Sequence, residues 1–475
     1  MKPKSIKMNY IYNTGYQILN LIVPLLTTPY ISRVLGVDAI GIYSFTASIV
    51  SYFTLFAAMG TATYGQREIS YLQNDRKQRT RTFWEIELLS IISTFFVLAL
   101  YFIFILSKGF SLIYIIQSLS IIAVATDITW LFAGMEEFGR IVVRNLITKL
   151  LNILFVFLMI RSVGDLNLYI FGLCFLVFLN TISIWPSLKL YVDLPEFNKL
   201  RPLRHFKFVM SLFIPTIAIQ IYTVLDKTMI GIFTNEPSEN GYYEQALKLS
   251  KMALTIVTSL GTVMVPRIGH YYNKNDIENV KLYLYRGYNF VWLLGIPLCF
   301  GLIGVSGNLV PWFYGDGYDK VVVLLSILGF LVLAIGINNV TGIQYMVPTK
   351  RQNYFTLSVC VGAIINFMMN LILIPRFQSV GASLSSVTAE VIIATLQLYI
   401  VRKELSALVI IKMCKNYLMA GIIMYIFLRI LSFYLVPSLV NSLILVTIGA
   451  VVYILMLIIL RDKFFIDNFK RLLKK

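Results

Sequence analysis

The side chains in this sequence that could do chemistry are a few charged groups inside long apolar runs. An ionisable group in the middle of a membrane costs about 2.5–3.5 kcal/mol on insertion scales, so it normally faces a cavity or a partner. These groups are Asp127, Lys149, Asp226, Lys227, Lys248, Lys251 and Glu390, with Arg33 at the end of the first run. Their positions predict either a polar cavity within the apolar part of the protein or ion pairs between helices.

Helical spacing places several of these groups on common faces. Asn145, Lys149 and Asn152 form an i, i+4, i+7 stripe, and Lys248 and Lys251 share one face of a later run. Lysines beside hydroxyl and amide groups suit an anionic, hydroxyl-rich molecule such as a phosphorylated sugar. The acidic groups could bind H⁺ or Na⁺, or they could only balance the lysines.

Other kinds of chemistry have no motif in this chain. The four cysteines lie in apolar stretches, far from any metal-binding spacing, and the two histidines, His205 and His270, lie in basic loops. A nucleophile elbow, a phosphate-binding loop and a His/carboxylate cluster are all missing from the sequence. The sequence therefore carries no recognisable catalytic or cofactor-binding motif, and we expect no cofactor other than a coupling ion.

The composition explains why such charges must lie within a membrane protein. Of the 475 residues, 58% are hydrophobic and only 13% are charged, about half the charged fraction of a soluble domain. This excludes a soluble enzyme and a disordered chain. The net charge of +18 agrees with basic cytoplasmic loops, so we do not predict nucleic-acid binding.

Apolar runs long enough to cross a bilayer recur along the whole chain, and they predict an all-α fold with fourteen transmembrane helices. We place them near 10–33, 40–63, 86–106, 112–134, 145–162, 168–190, 208–233, 246–266, 287–307, 321–341, 355–375, 381–401, 414–435 and 440–460. Most of the 41 Lys and Arg residues fall in alternate connections that include both ends, which predicts cytoplasmic termini. The last residues, from Asp462 onward, predict either an interfacial amphipathic helix or a frayed basic tail.

The two halves of the sequence repeat each other. Gly41 and Arg67 match Gly241 and Arg267 at an offset of 200, and a Ser-Val-Gly triplet occurs at both 162–164 and 379–381. The repeat predicts two lobes of six helices in a pseudo-twofold arrangement, with a central cavity and alternating access. The predicted domains are 1–200 for the N-lobe, 201–405 for the C-lobe, and 406–475 for two further helices and a basic amphipathic tail.

Three stretches resemble the bacterial polysaccharide flippases (Wzx-type) of the multidrug/oligosaccharidyl-lipid/polysaccharide (MOP) exporter superfamily, which includes the MATE transporters. The first is TPYISRVLG at 28–36, followed by Gly41-Ile42-Tyr43. The second is DITWLFAGMEEF at 127–138, and the third begins at Leu225-Asp226-Lys227. The resemblance covers the whole chain.

The resemblance implies a flippase that moves undecaprenyl-pyrophosphate-linked oligosaccharides to the outer leaflet of the bacterial cytoplasmic membrane. The resemblance also implies a membrane transporter without covalent chemistry, coupled to an H⁺ or Na⁺ gradient. The flipped units would be used for capsule or O-antigen polymers, and a polymerase and chain-length proteins are further expected partners. The residues expected to contact the substrate are Arg33, Asn145, Lys149, Asn152, Lys227, Lys248 and Lys251. The residues expected to couple or gate transport are Asp127, Asp226 and Glu390.

Several alternatives remain open. A multidrug/cation antiporter of the same superfamily would usually have twelve spans and acid-lined lobes. A flippase for a lipid-linked peptidoglycan or teichoic precursor is another alternative, although relatives that flip the peptidoglycan precursor carry several arginines in their first spans. A polysaccharide polymerase would have a large external loop, and a structural scaffold is disfavoured by the charged spans.

Overall fold

A computed structural model of the chain describes residues 6–259 and 261–473. Side chains are described from Ile22 to Lys470, apart from 214–216, 218, 219, 221, 260, 262, 263 and 469. All regular elements in these ranges are helices. The chain divides into two compact units, Met1–Thr228 and Met229–Lys475.

The first unit is built from seven helices and most of an eighth. They are α1 (Ile6–Ala58), α2 (Thr61–Tyr71), α3 (Arg76–Ser107), α4 (Leu112–Ala125), α5 (Thr129–Gly134), α6 (Phe138–Met159), α7 (Leu166–Ile182) and α8 (Phe206–Phe233). Short 3₁₀ turns occupy much of the connection between α7 and α8.

The second unit follows from the end of α8. Its helices are α9 (Pro237–Thr258), α10 (Gly261–Asn273), α11 (Ile277–Tyr314), α12 (Asp319–Leu328), α13 (Leu331–Asn338), α14 (Gln352–Ile400), α15 (Ala407–Tyr434), α16 (Leu439–Ile459) and α17 (Lys463–Leu473). A π-helical segment, Asn339–Met346, continues α13.

Two of the longest helices contain a break. Gly36 in α1 has φ 77° and ψ 172°, and Gln378 in α14 has φ 53° and ψ −130°, neither of which is helical. The positive φ is easy for glycine because it has no Cβ, whereas at glutamine it needs support from the surrounding contacts. Each break divides one long helix into two shorter ones.

The helices are those of a multi-pass membrane protein. Within the described ranges, ten helical stretches are long and apolar enough to cross a bilayer. Large apolar side chains remain exposed on them: Phe95 and Phe96 of α3 are 69% and 64% exposed. Such a surface is stable facing lipid and unfavourable facing water.

The order of helices in the first unit recurs in the second. In the first unit α1, which ends at Ala58, is followed by the short α2, the long α3 and the interrupted pair α4 and α5. In the second unit α9, which ends at Thr258, is followed by the short α10, the long α11 and the interrupted pair α12 and α13. The predicted repeat pairs lie at matching positions, because Arg67 is the seventh residue of α2 and Arg267 the seventh of α10. The duplication seen in the sequence therefore extends to the helical elements.

Two predicted element boundaries need correction. The predicted span 112–134 is interrupted, because α4 ends at Ala125 and α5 begins only at Thr129. The helix predicted to begin at residue 246 begins at Pro237, since its polar first turns are buried by partners. The tail forms helix α17, although the side chains of Phe469 and Leu472 lie outside the described residues.

A buried carboxylate anchors the segment before α8. Glu85 of α3 is fully buried, and it accepts hydrogen bonds from Arg81 Nε (3.0 Å) and the Arg201 backbone N–H (2.9 Å). Its other oxygen contacts Arg204 and lies 2.9 Å from His205 Nε2. The second ring nitrogen of His205 lies 2.8 Å from the Tyr64 hydroxyl of α2, so this contact joins three separate segments.

The His205 anchor predicts a pH-dependent stability. Burial lowers the pKa of His205 below its usual value, although its hydrogen bond to Glu85 opposes that shift. The unfolded chain therefore takes up the proton first, so His205 stabilises the fold above about pH 6.5 and this stabilisation is lost as the pH falls. We expect the melting temperature to fall on acidification in the wild type and less steeply in His205→Gln. Equal slopes in the wild type and His205→Gln would contradict the prediction.

Candidate functional site

The break between α4 and α5 carries the predicted coupling residue Asp127. Its side chain is exposed, and its Oδ1 accepts hydrogen bonds from the Thr129 backbone N–H (3.0 Å) and the Thr129 hydroxyl. Asp127 thus satisfies the first N–H group of α5, as an acidic residue at a helix N-terminus commonly does. Asp127 itself lies between the two helices and belongs to neither of them.

A chain of hydrogen bonds runs from this break to α6 and α7. Arg144 of α6 donates through Nη2 to the Thr129 hydroxyl (3.0 Å) and to Asn145 Oδ1 (3.2 Å). Asn145 Oδ1 also accepts from Asn180 Nδ2 of α7 (3.1 Å), and Asn180 Oδ1 accepts from the Thr148 hydroxyl (3.1 Å). The structure thus connects predicted residues Asp127 and Asn145 through Thr129 and Arg144.

Lys149 and Asn152 differ from Asn145 on the same helix. Both side chains are half-buried, and in the part of the chain that the structure describes neither makes a hydrogen bond or an ion pair. An ammonium group in an apolar span without a counter-charge is costly, and a group kept at such a cost is a functional candidate. The predicted stripe therefore divides into one structural amide and two side chains able to bind a ligand.

The other predicted residues of the first unit lie on α1 and α8. Arg33 is exposed three residues before the break at Gly36, Asp226 is 8% exposed, and Lys227 is half-buried. Next to them, the Thr228 hydroxyl bonds to Ser48 (2.9 Å) and Tyr52 (3.1 Å), which packs this part of α8 against α1.

In the second unit the predicted residues lie on α9 and α14. Lys248 is half-buried and Lys251 exposed. Glu390 is half-buried, and both its carboxylate and its backbone carbonyl accept hydrogen bonds from Asn338 Nδ2 at the end of α13. Asn338 immediately precedes the π-helical segment, a geometry that often marks functional positions.

Besides Glu85, two further buried carboxylates were missed by the sequence reasoning. Glu239 in the first turn of α9 binds Lys320 Nζ (2.5 Å) and both the N–H (3.1 Å) and the hydroxyl (2.6 Å) of Ser379. Glu87 of α3 is 1% exposed. Glu87 lies inside a predicted span and could have been found there, whereas Glu239 lay outside every predicted span.

A groove between α6 and α7 combines cations with an apolar wall. It encloses about 710 Å³, with Arg140 and Arg144 towards one end and Val143, Ile147 and Leu151 along the wall. Arg140 lies 3.6 Å from the Glu137 carboxylate and also donates a long hydrogen bond to Ser187 (3.4 Å). The arrangement suits a phosphate group attached to an alkyl chain, since guanidinium groups bind phosphate while the chain contacts apolar side chains.

Within the described residues, there is no group of three or more His, Cys, Asp or Glu residues that could hold a metal ion. The polar groups described above in the helices are lysines, arginines, amides, hydroxyls and single carboxylates. Such groups recognise and move a solute, and the class of protein that they and the fold define is a multi-pass membrane transporter.

Solved structures of transporters share this fold. The structure entitled "Lipid II flippase MurJ, inward closed conformation" aligns with a TM-score of 0.72 at 18% identity, covering 96% of this chain and 99% of that one. An inward-facing multidrug resistance MATE family transporter of the MOP superfamily aligns with a TM-score of 0.64 at 11% identity, covering 84% and 96%. The predicted MOP-type fold is confirmed.

A model of the family described as "Polysaccharide biosynthesis protein" matches residues 6–272, and the chain belongs to this family. A "Putative O-antigen transporter" from Escherichia coli (strain K12) is 24% identical over 84% of this chain and 97% of its own length. The "Probable low-salt glycan biosynthesis flippase Agl15" from Haloferax volcanii is 22% identical over 48% of each chain. The family indicated by the motifs at 28–36 and 127–138 is confirmed.

Proposed function

We propose that this protein is a flippase that moves undecaprenyl-pyrophosphate-linked oligosaccharides from the cytoplasmic to the outer leaflet of a bacterial cytoplasmic membrane. The flipped units would serve synthesis of a capsule or O-antigen type of polysaccharide. The observation that carries this proposal is the match to a putative O-antigen transporter over 97% of that protein's length. A polysaccharide polymerase and chain-length proteins would act on the product.

The groove between α6 and α7 supports the proposal that the substrate is linked to a lipid. A pyrophosphate-linked prenyl lipid has an anionic head on a long apolar chain, and the groove offers Arg140 and Arg144 beside Val143, Ile147 and Leu151. Lys149 lies one helical turn from Arg144–Asn145 on α6 and would contact the phosphates or the first sugar. Arg33, Asn152, Lys227, Lys248 and Lys251 remain further proposed contacts.

Fourteen crossings with both termini in the cytoplasm are part of this proposal. The breaks at Gly36 and Gln378 each divide a long helix into two potential spans, and α8 and α9 are each of sufficient length to cross a bilayer. Two six-helix lobes that alternately open to either side would carry the head group across. Transport would be coupled to H⁺ or Na⁺ through Asp127, Asp226 or Glu390.

Reconstitution in vesicles tests the flippase function directly. The purified full-length protein would be inserted into vesicles with a defined lipid-linked oligosaccharide in the inner leaflet, and exposure of the glycan to an external glycan-modifying enzyme would be measured. We expect protein-dependent exposure of the glycan with no change in its chemical structure. Efflux of a cationic dye without exposure of the glycan would favour a drug antiporter and contradict the proposal.

Deletion in the native host gives a second measurement. We expect lipid-linked repeat units to accumulate on the cytoplasmic face while surface polymer is lost, because the units are still made but no longer cross. Loss of polymer without accumulation would place the protein at another step of the synthesis.

A further inference from the structure

A cavity that the proposed function does not use lies in the first unit, between the start of α3 and the α7–α8 connection (residues 183–205). It encloses about 520 Å³ and shares no lining residue with the groove between α6 and α7. Its charged lining residues are four cations and two carboxylates: Arg76, Lys77, Arg81 and Lys199, with Asp193 and Glu196. The excess of positive charge suits an anionic ligand.

Hydrogen bonds between α3 and the α7–α8 connection hold the wall of this cavity in place. Arg76 donates to both carboxylate oxygens of Asp193 (2.7–3.1 Å) and to the Lys189 carbonyl (3.1 Å). The Asp193 carbonyl accepts from Trp84 Nε1 (2.9 Å), and the Asp193 N–H donates to the Thr80 hydroxyl (3.1 Å). The connection is therefore fixed on α3, although its regular elements are only short 3₁₀ turns.

Three cations of the cavity can bind a ligand. Lys77 is exposed and makes no ion pair or hydrogen bond within the part of the chain that the structure describes. Arg81 is exposed and, among the described residues, bonds only through Nε, to Glu85 (3.0 Å), so both of its Nη nitrogens can donate to a phosphate. Lys199 pairs with Glu196 at the surface, and an exposed pair contributes so little that a phosphate can replace it.

One face of α3 places these cations at the level of lipid headgroups. Helical spacing puts five residues on this face: Lys77, Arg81, Trp84, Ile91 and Phe95. Ile91 and Phe95 are exposed apolar side chains suited to lipid. Trp84 precedes Ile91 by about 10 Å along the helix axis, the interfacial level at which tryptophan is enriched. Arg81 and Lys77 lie about 5 and 10 Å beyond Trp84, where the headgroup phosphates lie.

The α7–α8 connection adds exposed apolar side chains next to these cations. Leu194 lines the cavity and is 87% exposed, and Phe197, three residues later, is 70% exposed. Large apolar side chains with this exposure are unfavourable in water and stable in the interfacial region of a bilayer. A lipid surface therefore suits both the cations and the apolar side chains, whereas a free phosphate would suit only the cations.

We propose that this cavity binds the phosphate headgroup of an anionic lipid of the surrounding membrane. Lys77, Arg81 and Lys199 would contact the phosphate, while Leu194 and Phe197 enter the interfacial region of the same leaflet. This leaflet is the cytoplasmic one in the proposed topology. The site goes beyond the proposed function, because it holds a resident lipid and not the transported one.

Quenching of Trp84 fluorescence by brominated lipids tests this site in the full-length protein. The protein would be placed in phosphatidylcholine vesicles that contain either brominated phosphatidylglycerol, which is anionic, or brominated phosphatidylcholine. The Trp84 signal is the difference between the wild type and Trp84→Phe. We expect the anionic lipid to quench Trp84 at a mole fraction about tenfold lower, because each basic residue near the phosphates adds about a factor of five in affinity.

Both of the other results with the wild type would overturn the proposal. Equal quenching by the two brominated lipids would show a surface on the membrane without a site for an anionic headgroup. Quenching of Trp84 by neither lipid would place this surface away from the bilayer and leave it for a protein partner.

Variants at two cations assign the preference to this cavity. Lys77→Ala combined with Arg81→Ala should abolish the preference for the anionic lipid. Lys77→Ala alone should lower it about fivefold, and this variant leaves the Arg81–Glu85 pair intact. Lys403→Ala combined with Lys412→Ala removes the same charge from exposed positions of the second unit and should keep the preference. Equal loss in both double variants would trace the preference to net charge and contradict the site.

Two competitors distinguish the resident lipid from other phosphates. Soluble glycerol 3-phosphate should not reverse the quenching, because it has no acyl chains, and reversal would make the ligand a free phosphate. Displacement of the brominated lipid by an equal fraction of undecaprenyl-pyrophosphate-linked oligosaccharide would make the cavity a substrate site and overturn the resident lipid. None of these measurements requires flipping, so their failure would leave the proposed flippase function standing.

Discussion

Replacing Glu239 by alanine is expected to lower the free energy of unfolding by about 3 kcal/mol, the lower end of the usual effect of removing one partner of a buried ion pair, because Lys320 is only half-buried. Glu239 is 2% exposed and binds Lys320 and both polar groups of Ser379. Its loss would leave the Lys320 ammonium group without its carboxylate and the Ser379 N–H without an acceptor. Chemical denaturation of the detergent-solubilised protein measures the change.

Two further variants make this prediction specific. Glu239→Gln keeps an acceptor for Ser379 but loses the charge facing Lys320, so it should be less destabilised than the alanine variant. Glu236→Ala removes an exposed carboxylate three residues earlier and should stay within about 0.5 kcal/mol of the wild type. Equal stability of the Glu236 and Glu239 variants would show that this carboxylate does not stabilise the fold.

The large effect at Glu239 follows from the break in α14 at Gln378. Gln378 has a positive φ, and the helical segment that restarts at Ser379 needs an acceptor for its first N–H. Glu239 supplies that acceptor from another helix, while Lys320 Nζ joins the Glu239 carboxylate to Gln378 Oε1 (3.0 Å). One carboxylate therefore holds together the beginnings of three helical segments.

The sequence repeat pairs Ser162 with Ser379, and each serine lies at the start of a helical segment. It does not pair the two carboxylates that accept hydrogen bonds from these serines. Ser162 donates its N–H (2.8 Å) and hydroxyl (3.1 Å) to Asp165, three residues later in the chain. Ser379 donates the same two groups to Glu239, far away in the sequence. A local comparison of sequence finds the Ser-Val-Gly triplets, whereas the second carboxylate becomes visible only once α9 packs against α14.

Hydropathy predicted the helices well because long apolar runs have few alternatives in a bilayer. It could not predict the break around Asp127, since α4 and α5 are both apolar and the interruption depends on the hydrogen bonds to Thr129. It also began α9 nine residues late, because Glu239 and Asn240 are polar yet buried. Local hydrogen bonds decided the first case, and partners from distant helices decided the second.

The same limit applies to the candidate site. The stripe of Asn145, Lys149 and Asn152 follows from helical spacing, and α6 does carry all three side chains. Spacing could not indicate that Asn145 is bonded to Asn180 while Lys149 has no partner among the described residues. A polar side chain of α6 is used for packing when the neighbouring helix offers it a hydrogen-bond partner, as Asn180 of α7 does for Asn145. Spacing along one helix does not show where such a partner lies.

Replacing Lys149 by alanine is therefore expected to reduce transport about tenfold to a hundredfold while leaving the amount of protein unchanged. A hydrogen bond to a charged group is worth about 1.5–3 kcal/mol, and about 1.4 kcal/mol corresponds to a factor of ten. Because Lys149 makes no ion pair or hydrogen bond within the described residues, its removal leaves no buried counter-charge behind.

Lys149→Arg should retain much of the activity, since it keeps a cation for the phosphate groups. Lys108→Ala, at an exposed position after α3, is the matched control and should transport like the wild type. Glycan exposure in vesicles and protein abundance in the membrane would be measured together, and a parallel fall of both in Lys149→Ala would assign Lys149 to the fold instead of the substrate.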